Sequence, residues 1–89
     1  MSNNSSSDTA FVAKLTCSDS NQSEDMLILR KHVTVIADGD CFINFDKAVT
    51  SIGRFYIKAN LVYKFDVSFS RLNYLADSGT PALYITANR

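Results

Sequence analysis

One stretch of this chain, residues 61–69 (LVYKFDVSF), has a large apolar side chain at every second position. A period of two is the repeat of a β-strand, and nine residues extend for about 30 Å at roughly 3.3 Å per residue. The odd-numbered side chains therefore share one face of a strand, and no helix could bury them on a single side. They are Leu61, Tyr63, Phe65, Val67 and Phe69.

The rest of the chain repeats this pattern in shorter segments separated by polar or glycine-containing turns. Strands are predicted at residues 11–17, 26–30, 32–37, 41–45, 51–57, 61–69, 72–76 and 81–86. Arg30 and Lys31 are interpreted as a kink or short junction between two of them. The predicted fold is an all-β antiparallel β-sandwich, jelly-roll-like or a small barrel, of seven to eight short strands.

The connections between these strands carry turn chemistry. Asp38-Gly39 is the strongest hairpin signal, because Gly accepts a positive φ, and residues 41–45 are then the returning strand. Residues 58–60 are a further predicted turn. Residues 77–81 are predicted to join the last two strands as a pair.

The chain is 89 residues long, which indicates one small domain with a modest core. We expect residues 11–89 to form a single β-sandwich domain and residues 1–10 to be a flexible polar N-terminal arm. The arm is either a passive tail or a segment that becomes ordered on a neighbouring subunit. Small domains gain stability from assembly, so a homo-oligomer is expected.

Charge and hydropathy narrow the classes of partner. Nine Lys/Arg balance nine Asp/Glu, so binding to a nucleic-acid backbone is disfavoured. No apolar run approaches the roughly 20 residues of a membrane span, and the N-terminal residues show no signal-peptide pattern. Cys17 and Cys41 lie in alternating apolar runs and are expected to be free, buried thiols.

The residue inventory predicts no enzyme, no cofactor and no metal site. His32 is the single histidine and lies in a predicted strand, so a catalytic triad is not expected. Asp38, Asp40 and Asp46 resemble a calcium loop only superficially, because hydrophobic strand residues occupy the other ligand positions. We interpret these carboxylates as turn residues.

A metal site formed by the thiols of Cys17 and Cys41 and the imidazole of His32 would lack a fourth ligand and any C-x-x-C spacing. No Gly-rich nucleotide motif and no G-x-S-x-G motif is present. No residue is therefore assigned to catalysis, cofactor binding or metal coordination.

The aromatic residues allow two interpretations. They could fill the space between two sheets, which we favour, or bind single-stranded nucleic acid or carbohydrate by stacking. The aromatic set is Phe42, Phe45, Phe55, Tyr56, Tyr63, Phe65, Phe69, Tyr74 and Tyr84, with Arg54, Lys58 and Lys64 among them.

Two segments together resemble small virion-associated proteins of tailed bacteriophages. Residues 33–45 (VTVIADGDCFINF) are similar to a strand, Gly turn and φ-x-φ-x-Phe strand of that group, where φ is an apolar residue. Residues 72–86 (LNYLADSGTPALYIT) resemble its closing small-residue Gly turn and φ-x-φ-Thr ending. The chain departs from the group by its N-terminal strand and polar loop, residues 11–25.

The resemblance implies a non-enzymatic structural protein of a phage virion. The expected role is a capsid decoration or cement protein that contacts the major capsid protein or another virion protein. It would be located in the virion, and in the host cytoplasm during assembly. The alternatives are a head–tail neck or tail-attached adaptor, or a small carbohydrate- or single-stranded-nucleic-acid-binding β module.

Overall fold

The computed structural model describes residues 10–89, and every regular element among them is a β-strand. The strands are β1 (Phe11–Thr16), β2 (Gln22–Ala37), β3 (Cys41–Phe45), β4 (Phe55–Ile57), β5 (Val62–Ala76) and β6 (Ala82–Asn88). All pairings are antiparallel, which confirms the predicted all-β antiparallel class. Residues 1–9 lie outside the described part, so the N-terminal arm stays a prediction. Among residues 10–89, no helix is long and apolar enough to cross a membrane.

The described strands form one six-stranded sheet in the order β1-β6-β2-β5-β3-β4. The count falls below the expected seven or eight because two pairs of predicted strands are continuous. Residues 26–30 and 32–37 belong to β2, and residues 61–69 and 72–76 belong mostly to β5. β4 is also shorter than predicted, with three residues.

The alternation that predicted the strand at residues 61–69 is present in β5. Tyr63, Phe65 and Val67 are half-buried against the core, and Phe69 is fully buried. Leu61 is an exception, since it precedes the strand and is 48% exposed. The shared face is therefore confirmed for four of the five predicted residues, and its burial increases toward Phe69.

β5 bends so strongly that both of its ends reach one residue. The N–H of Ala59, just before β5, donates to Asp40 Oδ1 at 2.8 Å. The N–H of Asp77, just after β5, donates to the carbonyl oxygen of Asp40 at 3.1 Å. A straight strand of 15 residues would separate these points by about 50 Å. The sheet is therefore folded over on itself along β5.

Two irregularities in the β2–β5 ladder accompany this bend. Between the pairs Asp25–Arg71 and Arg30–Phe69, four residues of β2 lie opposite one residue of β5. Between the pairs Arg30–Phe69 and His32–Asp66, two residues of β5 lie opposite one residue of β2. Such bulges bend strands and change which side chains face inward. On β5 the inward set is odd-numbered up to Phe69 and even-numbered beyond the bend.

The turn predictions located three connections, but the strand pairs predicted across two of them are wrong. Residues 38–40, 58–61 and 77–81 each join two strands that are not hydrogen-bonded neighbours. Asp38-Gly39 is therefore not a hairpin turn, because β5 lies between β2 and β3 in the sheet. Likewise β6 pairs with β1 and β2, and not with the C-terminal half of β5. We call the end of the molecule where these connections meet the loop end.

Gly39 does not have the predicted positive φ, which among the glycines of residues 10–89 is found only at Gly79. Gly39 is required for a different reason. A Cβ atom at Gly39 would lie 2.8 Å from the Cβ of Pro81. The absence of a side chain therefore lets two connections approach closely at the loop end.

Inward side chains from all six strands form one apolar core. Its fully buried large members include Phe69, Met26, Ile43, Ile57, Leu72, Leu83, Ile85 and Val35. Phe69 lies at the bend, where it meets Phe45 in an edge-on ring contact with centroids 4.9 Å apart. The core thus holds both halves of the bent sheet together.

We expect Phe69→Ala to lower the free energy of unfolding by about 3–5 kcal/mol, because it leaves a cavity in the core. Phe65→Ala should cost less, since Phe65 is only half-buried. Urea denaturation of the two variants measures the difference. Equal losses would show that burial at the bend does not decide the contribution of each ring.

Candidate docking surface

The most unusual exposed feature is an apolar protrusion on β2 at the bend. Residues 27–29 lie in the stretch where four residues of β2 oppose one residue of β5, so the chain leaves the plane of the ladder there. Leu27 is 75% exposed, Ile28 is 39% exposed and Leu29 is 55% exposed. Runs of three consecutive exposed aliphatic residues are rare in soluble domains unless they have a function. We call residues 27–29 the apolar bulge.

Polar contacts hold the apolar bulge in a fixed conformation. Leu27 has φ 74°, a left-handed conformation that costs a non-glycine residue about 1–2 kcal/mol. Asp25 Oδ1 accepts a hydrogen bond from the Leu27 N–H at 2.8 Å. Behind the bulge, Nε and Nη2 of the buried Arg30 donate to the Met26 carbonyl oxygen at 3.2 and 3.1 Å. A strained backbone that its surroundings enforce is typical of binding sites.

A second exposed apolar group lies on the outer face of the sheet. Val62, Ile36 and Tyr84 are in register on the neighbouring strands β5, β2 and β6. Their exposed fractions are 60%, 36% and 42%. Lys14 of β1 continues the row, with Nζ 5.8 Å from the centroid of the Tyr84 ring. We call these residues the apolar strip.

Asp38 and Asp40 have structural roles at the loop end. Asp38 forms two bonds with Ala82: its N–H donates to the Ala82 carbonyl at 3.1 Å, and its Oδ1 accepts from the Ala82 N–H at 2.7 Å. Asp40 contacts both ends of β5 through Ala59 and Asp77, as described above. Both aspartates lie in a turn, as interpreted from the sequence. In addition, each one is hydrogen-bonded to a connection that is distant in the sequence.

Asp46 lies away from the other two aspartates along β3 and stabilises the bend. Its Oδ1 accepts hydrogen bonds from the N–H groups of Ser70 and Arg71, both at 2.9 Å. Asp46 itself has φ 63°. Among residues 10–89, no group of three or more His, Cys, Asp and Glu side chains is arranged to hold a metal ion.

His32 lies on the outer face of β2, with its Nδ1 2.8 Å from Asp66 Oδ1 on β5. The two side chains are 57% and 87% exposed, and an exposed pair of this kind contributes about 0–1 kcal/mol. The two residues pair directly across the ladder, which explains the contact. The described residues enclose no pocket beside it.

Cys17 and Cys41 are free and fully buried. The neighbouring Cys17 thiol, together with burial, raises the pKa of Cys41 above its ordinary value. The expectation of free, buried thiols is confirmed, and their contact was not foreseen. Both thiols pack as small apolar side chains in the core.

The aromatic residues divide between the two faces of the sheet. Inward rings form a connected cluster with centroid distances from 4.9 to 6.5 Å, made of Phe45, Phe55, Tyr63, Phe65 and Phe69. On the outer face, Phe42 contacts Tyr56 at 5.4 Å, and the Arg54 guanidinium lies 4.1 Å from the Phe42 ring centroid. The favoured core interpretation therefore holds for Phe45, Tyr63, Phe65 and Phe69, and it fails for the 45% exposed Phe55 and for the outer pair.

Comparison with protein-family models, with curated proteins and with solved structures finds no match.

The sequence did not identify the apolar bulge, although it contains a signal for it. Residues 26–29 are four consecutive apolar residues, which breaks the period of two. Such a run fits a buried strand equally well. Only the pairing with β5 shows that one of the four points inward and three point outward.

The contacts of Asp40 predict how stability depends on pH. Hydrogen bonds from the Tyr56 hydroxyl and the Ala59 N–H hold the pKa of Asp40 below its ordinary value. The first of these bonds also raises the pKa of Tyr56 to about 12. A depressed carboxyl pKa stabilises the fold above the unfolded pKa of about 3.9, and this stabilisation is lost as the pH falls through the folded pKa.

We therefore expect Asp40→Asn to be less stable than the wild type at neutral pH and to approach it in acid. Urea denaturation between about pH 7 and about pH 2.5 measures the difference. Asp19→Asn, at an exposed carboxylate in the first loop, is the control. A stability difference at Asp40 that is constant across this range would contradict the assignment.

Proposed function

We propose that this protein is a non-enzymatic structural subunit that docks onto another protein of a larger assembly. The observation that carries the proposal is the apolar bulge, which exposes three aliphatic side chains on a backbone held by Asp25 and Arg30. Because the backbone is already fixed, little further ordering is needed when the bulge binds. The apolar strip offers a second contact area on the outer face.

The strength of such a contact fits an assembly with many copies. Full burial of an exposed aliphatic side chain contributes about 1.5–3 kcal/mol, and association has its own entropic cost. One bulge alone therefore supports weak binding. Several linked subunits on a repeating surface bind far more tightly than one subunit does.

The assembly we propose is the virion of a tailed bacteriophage, with this protein as a capsid decoration or cement protein. Support comes from the resemblance of residues 33–45 and 72–86 to small virion-associated proteins. In the fold these two segments meet at the loop end, where Asp38 and Ala82 are hydrogen-bonded in both directions. A head–tail neck or adaptor protein would use the same kind of surface and is the alternative within this class.

A specific observation favours a second candidate function, the binding of a single nucleic-acid strand or a glycan. The half-buried Phe42, the 46% exposed Tyr56 and Arg54 form a stacking group on the outer face of β3 and β4. Bases and sugars stack on such rings. We rank this function second, because the chain carries no basic excess and because Arg54 already covers the Phe42 ring.

Within the all-β class, we propose that the bent sheet is best described as sandwich-like. Its two ends meet at Asp40, and core side chains come from strands of both halves. The connections at the loop end also join strands that are not neighbours in the sheet, as connections between sandwich layers do.

The docking proposal predicts that charges on the apolar bulge abolish attachment without unfolding the domain. In the double variant Leu27→Asp/Leu29→Asp, attachment to phage particles should fall at least about tenfold, because the aliphatic burial is lost. Mass spectrometry of purified particles measures the number of copies. Ile52→Asp is the matched control, since Ile52 is 96% exposed but lies outside the bulge.

Thermal melting of the purified variants separates a docking defect from unfolding. Wild-type copy number in the double variant would show that the bulge is not the docking site. If the wild-type chain is missing from the particles, the virion assignment is wrong. Specific retention of oligonucleotides or glycans, lost in Tyr56→Ala, would then place the second function first.

A further inference from the structure

We propose that β1 pairs with β1 of a second copy of this chain, which makes one continuous sheet across a two-fold axis. This inference deepens the proposed function by naming the contact between subunits of the assembly. It rests on the free backbone edge of β1 and does not depend on the apolar bulge. Its test is the oligomeric state of the isolated protein, which the particle experiment does not measure.

Within residues 10–89, β1 is the edge strand of the sheet and pairs with β6 alone. The opposite edge strand, β4, has only three residues, whereas β1 has six. β1 contains no proline, and its register against β6 has no bulge. Natural edge strands usually carry proline, a bulge or a charged residue that hinders pairing with another chain, and of these β1 has only Lys14. Of the two strands at the ends of the sheet order, β1 is therefore the better edge for association.

The backbone hydrogen bond of Cys17 shows which backbone groups face the free edge. The Cys17 N–H donates to the Pro81 carbonyl at 2.9 Å and continues the β1–β6 register. Backbone groups alternate in direction along a strand, so the odd-numbered residues of β1 bond to β6. The N–H and C=O groups of Val12, Lys14 and Thr16 consequently point away from the sheet.

Two antiparallel registers pair most of these edge groups, one centred on Ala13 and one centred on Lys14. With Ala13 opposite Ala13 of the second copy, Val12 lies opposite Lys14, and all four of their backbone groups are paired. Shifting the register so that Lys14 lies opposite Lys14 would place like charges against each other. The preferred register contains no such pair.

Side chains on both faces of β1 fit this register. On the outer face, the aliphatic stem of Lys14 would cover Val12, which is 73% exposed. On the inner face, Phe11 would lie opposite Leu15, as an aromatic–aliphatic cross-strand pair. Phe11 and Ala13 are only half-buried in the single chain, so the pairing would extend the core across the axis.

The first test is the mass of the full chain in solution, with Lys14→Pro as the variant. Proline removes an N–H that faces the free edge and leaves the bonds to β6 intact. We expect the wild type to have the mass of two chains by light scattering and Lys14→Pro to dissociate at least about 100-fold more readily. A monomeric wild type, or a folded Lys14→Pro variant that remains dimeric, would overturn the proposal.

The second test fixes the register by cross-linking. In Ala13→Cys the two introduced thiols would face each other in a closely spaced pair, whereas in Val12→Cys they would lie on a longer diagonal. With oxidised glutathione as the oxidant, two thiols become one disulfide and the glutathione disulfide is reduced to two thiols. We expect Ala13→Cys to form covalent dimers at least about tenfold faster than Val12→Cys. Faster cross-linking of Val12→Cys would overturn the register.

The docking double variant keeps the two proposals separate. Leu27→Asp/Leu29→Asp should lose attachment to particles and stay dimeric, because neither residue belongs to β1. If that variant is also monomeric, the apolar bulge and not the β1 edge forms the dimer, and the proposal fails. If the dimer forms as described but does not attach to particles, only the function proposed above is wrong.

Discussion

The fold depends on the hydrogen bonds that Asp38 and Asp40 make at the loop end. Asp40 binds Ala59 before β5 and Asp77 after it, which fixes the two ends of a long strand to one point. Asp38 adds a pair of bonds to Ala82 at the start of β6. These connections leave the sheet and cannot use ladder bonds, so the carboxylates and the backbone groups of Asp38 and Asp40 together supply the partners that they need. Only a bent β5 is compatible with these contacts.

That constraint explains why β2 and β5 carry irregularities at the opposite end. Once the ends of β5 are held together, its partner β2 must follow the bend with a different length of chain. The four residues 26–29 take up the difference: Met26 turns into the core and the next three turn outward. The buried Arg30 side chain then stabilises this distortion by donating hydrogen bonds to the Met26 carbonyl oxygen. The bend and the proposed docking bulge are thus two results of the same pairing.

The sequence predicts the strands of this fold better than it predicts their partners. The alternation of residues 61–69 is a local property, so it gave the correct inward face of β5. The signal at Asp38-Gly39 located a real connection, but turn residues do not encode which strand lies beside the next one. The apolar run at residues 26–29 was visible but could not be divided into inward and outward residues without its partner strand. Pairing between segments that are distant in the sequence decides which strands are neighbours and which residues of the apolar run face inward.

The contact between Arg30 and Phe11 links the two proposed surfaces. The Arg30 guanidinium lies 5.7 Å from the centroid of the Phe11 ring, at the start of β1. Arg30 also holds the carbonyl that precedes the apolar bulge. In the proposed dimer, Phe11 would be fixed from its other side by Leu15 of the second copy. Pairing at the edge would therefore also restrict the side chain against which Arg30 packs. The arginine that fixes the bulge is thus the residue through which the two proposed surfaces are in contact.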